Sequence, residues 1–168
     1  MGISFASLAL SIVALVLSWQ NNQRQNDQAA LNQNVSVLLQ LDTLFNSPTM
    51  RKHRRKAAKA LLAGNLNNPP PDFDDVLGFF EIVGTLSRKH AINDELVWDS
   101  WYYWIDGYWH AGAQYIADQR KDNSDYYQET SDLVSRLEQI DKAHHHGHVI
   151  ANDEPSKDFL AGEAELSD

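Results

Sequence analysis

Cysteine is absent from the chain. That excludes disulfides, thiolate metal sites and cysteine nucleophiles, and it fits a reducing compartment. The sequence also lacks G-x-S-x-G, the P-loop and G-x-G-x-x-G, so nothing points to a serine nucleophile, a nucleotide triphosphate or a dinucleotide. No stretch alternates with the period of a strand. Positive charge is scarce: 14 Lys and Arg face 23 Asp and Glu, a net charge of −9. Such a chain has no global attraction for nucleic acid, which is not expected as a partner. Much of the acid sits near the C-terminus, in Asp141, Asp153, Glu154, Asp158, Glu163, Glu165 and Asp168, against Lys142 and Lys157.

What is present begins with one apolar run, Ile3–Trp19, without a charged residue and with no Lys or Arg before it. At about 1.5 Å per residue it reaches roughly 25 Å, enough to cross a hydrocarbon core. Trp19 ends it, where an indole suits the headgroup region. A cleaved signal peptide needs a basic start, and here the first cation is Arg24. A buried core helix would need cover on every side. Myristoylation at Gly2 is dropped because Ala6 stands where Ser or Thr is needed. The reading adopted is a transmembrane anchor over residues 1–19, with the signal peptide and the core helix as its alternatives. Arg24 and the cluster from Arg51 to Lys56 lie on the C-terminal side, which puts the N-terminus outside and the rest in the cytoplasm.

Residues 20–46 form a Gln- and Asn-rich juxtamembrane helix or linker, in which Leu31, Leu38, Leu41 and Phe45 make a narrow seam at helical spacing. The seam suits packing on the domain or on a second copy, so a homo-oligomer is one candidate assembly. Residues 47–143 read as a four-helix bundle. Ser47 caps and Pro48 opens the first helix, which Gly64 stops. After the Pro69–Pro71 turn, Asp72 caps a second helix whose stripe is Phe73, Val76, Leu77, Phe80, Val83 and Gly84. Gly84 suggests a close helix crossing. Asn93 caps a third helix in which Gly107 and Gly112 are candidate kinks and whose pattern carries through to about Arg120. The fourth, about Asp125 to Ala143, buries Tyr126 or Tyr127, Thr130, Leu133, Val134, Leu137 and Ile140. Residues 144–168 show no sustained period and read as a disordered, His-rich acidic tail. The fold class is therefore all-α: an anchor, a polar helix, a four-helix bundle and a tail.

The chain carries M-R-x-x-R-R at Met50, Arg51, Arg54 and Arg55, and F-E-x-V-G-x-L from Phe80 to Leu86. Asp99, Trp101 and Trp109 follow, then Y-I-x-x-x-R from Tyr115 to Arg120, and Tyr126-Tyr127. On these motifs, residues from Pro48 to about Asp141 resemble an uncharacterised bacterial family, a domain of unknown function. The resemblance implies one N-terminal transmembrane helix and a small helical cytoplasmic domain at the bacterial inner membrane, and it implies no reaction.

Four constellations could carry function. Arg51, Lys52, Arg54, Arg55, Lys56 and Lys59 fall on one arc of the first bundle helix. Each cation near anionic lipid contributes about 1 kcal/mol, and an acidic partner or internal pairing are the rival uses. On the third helix, Glu95, Asp99, Tyr102, Asp106 and His110 share a face opposite Val97, Trp101, Trp104 and Tyr108. Asp99, Asp106 and His110 are candidate metal ligands; pairing of these acids with Arg54, Arg55 or Arg88 is the plainer expectation. Trp98, Trp101 and Trp109 are candidate contacts for a partner, members of the core, or the lining of a small-ligand cleft. His144, His145, His146 and His148 would take up Zn²⁺ or Ni²⁺ adventitiously. No cofactor is expected. Membrane lipid and another membrane or cytoplasmic protein are the expected partners, with Arg51, Arg54, Arg55, Trp98, Trp101 and Trp109 as interaction residues. The function expected is that of a membrane-anchored accessory protein or scaffold; a metal-dependent module on the third helix is the alternative.

Overall fold

A helix becomes a core element when its apolar residues share one side, and the second bundle helix does this most completely. In a computed structural model that describes residues 34–64, 70–144 and 157–167, Phe73, Val76, Leu77, Phe80 and Val83 are all fully enclosed. Among the described residues there are seven helices and no strand. They are α1 (residues 34–45), α2 (Pro48–Leu62), α3 (Pro71–Arg88), α4 (Asp94–Ala111), α5 (Ala113–Asp122), α6 (Gln128–His144) and α7 (Lys157–Ala164). The all-α bundle expected from the sequence is present. The anchor, residues 1–19, and most of the polar segment after it lie outside the described residues. Among the described residues, no helix is long and apolar enough to cross a membrane.

Local chemistry accounts for the starts of α2 and α4. Ser47 accepts the Met50 amide at 3.2 Å with Pro48 at the first helical position, and Asn93 accepts the Glu95 amide at 2.7 Å. Asp72, expected as the cap of α3, lies inside its first turn. Pro70 holds the cap position without a side-chain bond, and the Asp72 carboxylate bonds His53 and Lys56 instead. Its acid is still well placed for the helix dipole.

The core is laid down by pairs of helices. The α3 helix packs on α2 and α6, and α4 packs on α6. The close crossing expected at Gly84 is there: a Cβ at that position would lie 2.5 Å from the Glu129 carbonyl oxygen of α6. The third helix is interrupted at Gly112, one of the two glycines expected to kink it, and resumes as α5 to Asp122. No side chain fits at this point, because the Phe73 ring occupies the space a Cβ would need. The break turns Tyr115 and Ile116 back into the core. The α1 seam packs on the domain, with Leu41 and Phe45 buried.

The larger correction concerns the tail. Residues 157–164, expected to be disordered, form α7, with Phe159, Leu160 and Glu163 buried against α2 and α4. Eight residues are too few to sustain a helix alone, so its order comes from the surface it lies on.

Candidate functional site: a carboxylate held in the core

The apolar stripe of α2 contains a cation. Arg54, Ala57, Ala58 and Leu61 stand at i, i+3, i+4 and i+7, and all four are buried. Arg54 was expected on the solvated arc with its basic neighbours; instead it is only 2 % exposed. Its ion-pair partner was expected among the acids of the third helix, and it is Glu163 of α7, itself 5 % exposed. The guanidinium grips that carboxylate with two prongs: Nε donates to Oε2 at 2.7 Å and Nη2 to Oε1 at 2.6 Å. Its remaining reach goes to the Phe45 carbonyl, to which Nη1 donates at 3.3 Å.

Two aromatic residues of α4 complete the clamp. Trp104 Nε1 donates to Glu163 Oε1 at 3.0 Å, and the Tyr108 hydroxyl donates to Oε2 at 2.7 Å. The Arg54 carbonyl lies 3.1 Å from the same hydroxyl as a second acceptor. Burial first, and the Glu163 charge second, push the Tyr108 phenol far above its ordinary range, so it stays a proton donor. The cation lies 4.0 Å from the Phe45 ring centre and 5.7 Å from that of Trp104. Beside this polar knot, Phe159 packs edge-on against Tyr103 and Tyr108 and covers Gly107, where any side chain would collide with its ring. Arg55 Nη1 donates to the Leu166 carbonyl at 2.9 Å and fastens the segment after α7.

A second polar knot surrounds Asp74. The hydroxyls of Tyr115, Tyr126 and Tyr127 all lie 3.0 Å from its Oδ1. Tyr127 adopts φ of 52°, a left-handed conformation costing a non-glycine residue about 1–2 kcal/mol, and its bond to Asp74 helps hold it. Arg120 ties the same turn by donating to the Tyr126 carbonyl at 3.0 Å. Glu81 acts across a helix boundary: its carboxylate accepts the amides of Glu129 at 3.2 Å and Thr130 at 2.9 Å, and the Thr130 hydroxyl at 2.8 Å. Tyr115, Arg120, Tyr126, Tyr127, Glu81 and Gly84, which carry the resemblance, are thus bound up in holding the bundle together.

The remaining expected site residues are dispersed. Trp101 is buried in the core and so is not a surface contact. Trp98 is half-buried, donates to Asp141 at 3.3 Å and stacks on His144 at 4.3 Å. Trp109 is half-buried, with the Arg120 guanidinium 5.5 Å from its ring centre. Arg51 is half-buried on α2. His144 also bonds Glu95 at 3.1 Å, while His145, His146 and His148 lie outside the described residues. Asp106 and His110 do come together, and α6 adds Glu138, the three offering ligand atoms within 4.8 Å of one another; Asp99 is not part of this group. Asp106 bonds His110 and raises its imidazole to about 9, although burial pulls the other way. His53, Asp72 and Asp75 form a second group, already served by Lys56, whose Nζ lies 3.2 Å from Asp72. Burial pushes the Asp72 carboxyl up, but bonds from His53 and Lys56 outweigh it and hold the carboxyl below its ordinary value.

Sequence reasoning missed Arg54's burial, Glu163 and Glu81. A signal for the first two existed. An arginine within an apolar i, i+3, i+4, i+7 stripe demands a buried acid, and Phe159, Leu160 and Glu163 form a short apolar-and-acid face in the tail.

These features define a small all-α domain whose interior is cross-braced by carboxylates. The chain belongs to the family described as a domain of unknown function, DUF4760, which matches residues 1–137. No curated protein and no solved structure matches it. The helix that supplies Glu163 lies beyond the matched residues.

Proposed function

We propose that this chain is a membrane-anchored helical interaction protein, a scaffold or small accessory subunit that holds a protein partner at a bacterial inner membrane. The supporting observation is an open groove of about 630 Å³ between α1, α2 and α3, lined by Leu44, Met50, Gly78, Phe79 and Ile82. Leu44 and Ile82 leave 58 % and 55 % of their surface in water. A wide apolar trough of this kind suits the side of a partner's helix better than an enclosed small substrate. His53 and Asp75 at its rim give polar contacts for orientation. In this reading residues 1–19 cross the membrane with the N-terminus outside, and the outward cations of α2 face anionic lipid or an acidic partner.

The test is a gentle-detergent pull-down with mass spectrometry, run on the wild-type chain and on Leu44→Asp and Ile82→Asp. A partner retained by wild type and lost by both variants supports the reading; identical profiles refute it. The anchor is tested separately by fractionation, where full-length uncleaved chain found soluble without detergent would overturn it.

The cluster of Asp106, His110 and Glu138 favours a second reading, a divalent-metal module on α4 and α6. Because Asp106 holds a proton on His110 up to about pH 9, metal must displace that proton, and affinity should climb with pH below this value. Titration of Zn²⁺ into chain with the His tract substituted separates this from adventitious binding; no saturable uptake between pH 7 and 9 ends this reading.

A further inference from the structure

The contacts around Glu163 are those of a receptor with its ligand. Four donors from α2 and α4 converge on one carboxylate, and an aromatic pocket formed by Tyr103, Gly107 and Tyr108 takes Phe159 four residues earlier. Those are one turn apart on the same face of α7, the spacing by which a groove reads a helix. The receptor side belongs to residues matched by the family, whereas α7 lies outside them. In the sequence α7 is joined to α6 through residues 145–156. An occupant held in cis yields to a competitor that is concentrated enough or fits better.

We propose that the groove built by Arg54, Trp104, Tyr108 and Gly107 is a docking site for an acidic amphipathic helix carrying an aromatic residue and, four positions later, a glutamate, and that α7 is its displaceable occupant in cis. This site is separate from the groove between α1, α2 and α3 and goes beyond the interaction reading, on which it rests only for the nature of the ligand, a protein helix. The buried cation is what makes the site selective. Arg54 in this setting demands an anion, and the fork of the guanidinium matches a carboxylate plane. A neutral or basic helix would leave the charge unpaired and the indole and phenol without their shared acceptor. The partner's helix gains entry when it outcompetes α7, so the contacts of α7 set a threshold for binding.

The probe is a fluorescein-labelled synthetic peptide of residues 157–168, added to the full chain carrying Phe159→Ala and Glu163→Gln. These changes weaken the occupant and leave every receptor side chain intact. Fluorescence anisotropy should show saturable one-to-one binding, at least ten-fold tighter than to wild type, whose own α7 competes. The peptide with Glu163→Gln should bind at least ten-fold more weakly. A folded double variant that fails to bind, or equal binding by wild type, overturns the proposal. If the double variant does not fold, full chain with a protease site inside 145–156 is cut after folding and challenged with excess labelled peptide. Exchange with retention of helical circular dichroism supports the proposal, as does a dimer that trades α7 between copies. A nicked chain that never exchanges, or unfolds as α7 leaves, overturns it. Loss of exchange with partner capture still sensitive to Ile82→Asp removes this proposal alone. Exchange with capture insensitive to Ile82→Asp removes the groove-based reading alone.

Discussion

Replacing Glu163 by Gln is the most informative single change. The amide keeps the shape but removes the charge, and one of its two ends becomes a donor. Facing Arg54 Nε and Nη2 at 2.7 and 2.6 Å, with Trp104 and Tyr108 also donating, that end opposes at least one N–H or O–H. Removing one partner of a buried pair costs about 3–5 kcal/mol. Whole domains are stable by about 5–15 kcal/mol, and in a chain this long 1 kcal/mol moves Tm by about 2–4 °C. Glu163→Gln should therefore lower Tm by on the order of 10 °C. Undocking of α7 sets the ceiling, because once water reaches Arg54 the penalty stops growing. The double variant Arg54→Met, Glu163→Leu should recover most of the loss. Its Tyr108 hydroxyl still finds the backbone carbonyl of residue 54 at 3.1 Å, and half-buried Trp104 can turn to water. Urea unfolding of wild type, both single variants and the double variant gives the coupling directly. A loss below about 1 kcal/mol for Glu163→Gln, or additive single effects, would refute the assignment of Arg54 to Glu163.

Other expectations follow from the same contacts. Gly84→Ala should lose about 1–3 kcal/mol because its Cβ meets the Glu129 carbonyl oxygen, whereas Gly78→Ala in the same helix meets nothing within 4 Å and should gain up to about 1 kcal/mol; thermal melts compare them. Asp74→Ala strands three phenols and should destabilise by about 2–4 kcal/mol in urea, with Asp74→Asn intermediate. His110 should titrate near 9 by NMR and return towards 6.5 in Asp106→Asn. Since its folded pKa is raised, its contribution to stability is complete below about pH 6.5, the unfolded value, and fades as pH rises through 9. A His110 resonance that titrates near 6.5 in the wild-type chain contradicts the pairing.

Much of the bundle was legible because its signals are local. Ser47 and Asn93 are caps by their own side chains, and the α3 stripe repeats at a spacing no other element produces. Gly84 announced a close approach, though not with which helix. The failures share a cause: they depend on what a distant segment brings. Position 112 admits no side chain because the Phe73 ring, far away in sequence, needs the room. Arg54 looked like one of several surface cations, since a helical wheel does not say which edge of an arc turns inward. The α7 helix has too few residues to show a period, and it exists through its contacts. Asp106 and His110 were visible as a pair at i, i+4, but Glu138 joins them only through the packing of α6 on α4.

Glu81 bears on the order in which the chain can fold. The first amides of α6, which a helix ordinarily satisfies with its own neighbouring side chain, are here received by a carboxylate on α3. The starting point of α6 is thus dictated from outside, and a peptide of residues 124–144 should fray at that end while keeping its C-terminal turns. Assembly of the α3–α6 interface and the setting of the α6 register become one event, so the two helices should acquire protection from hydrogen exchange together.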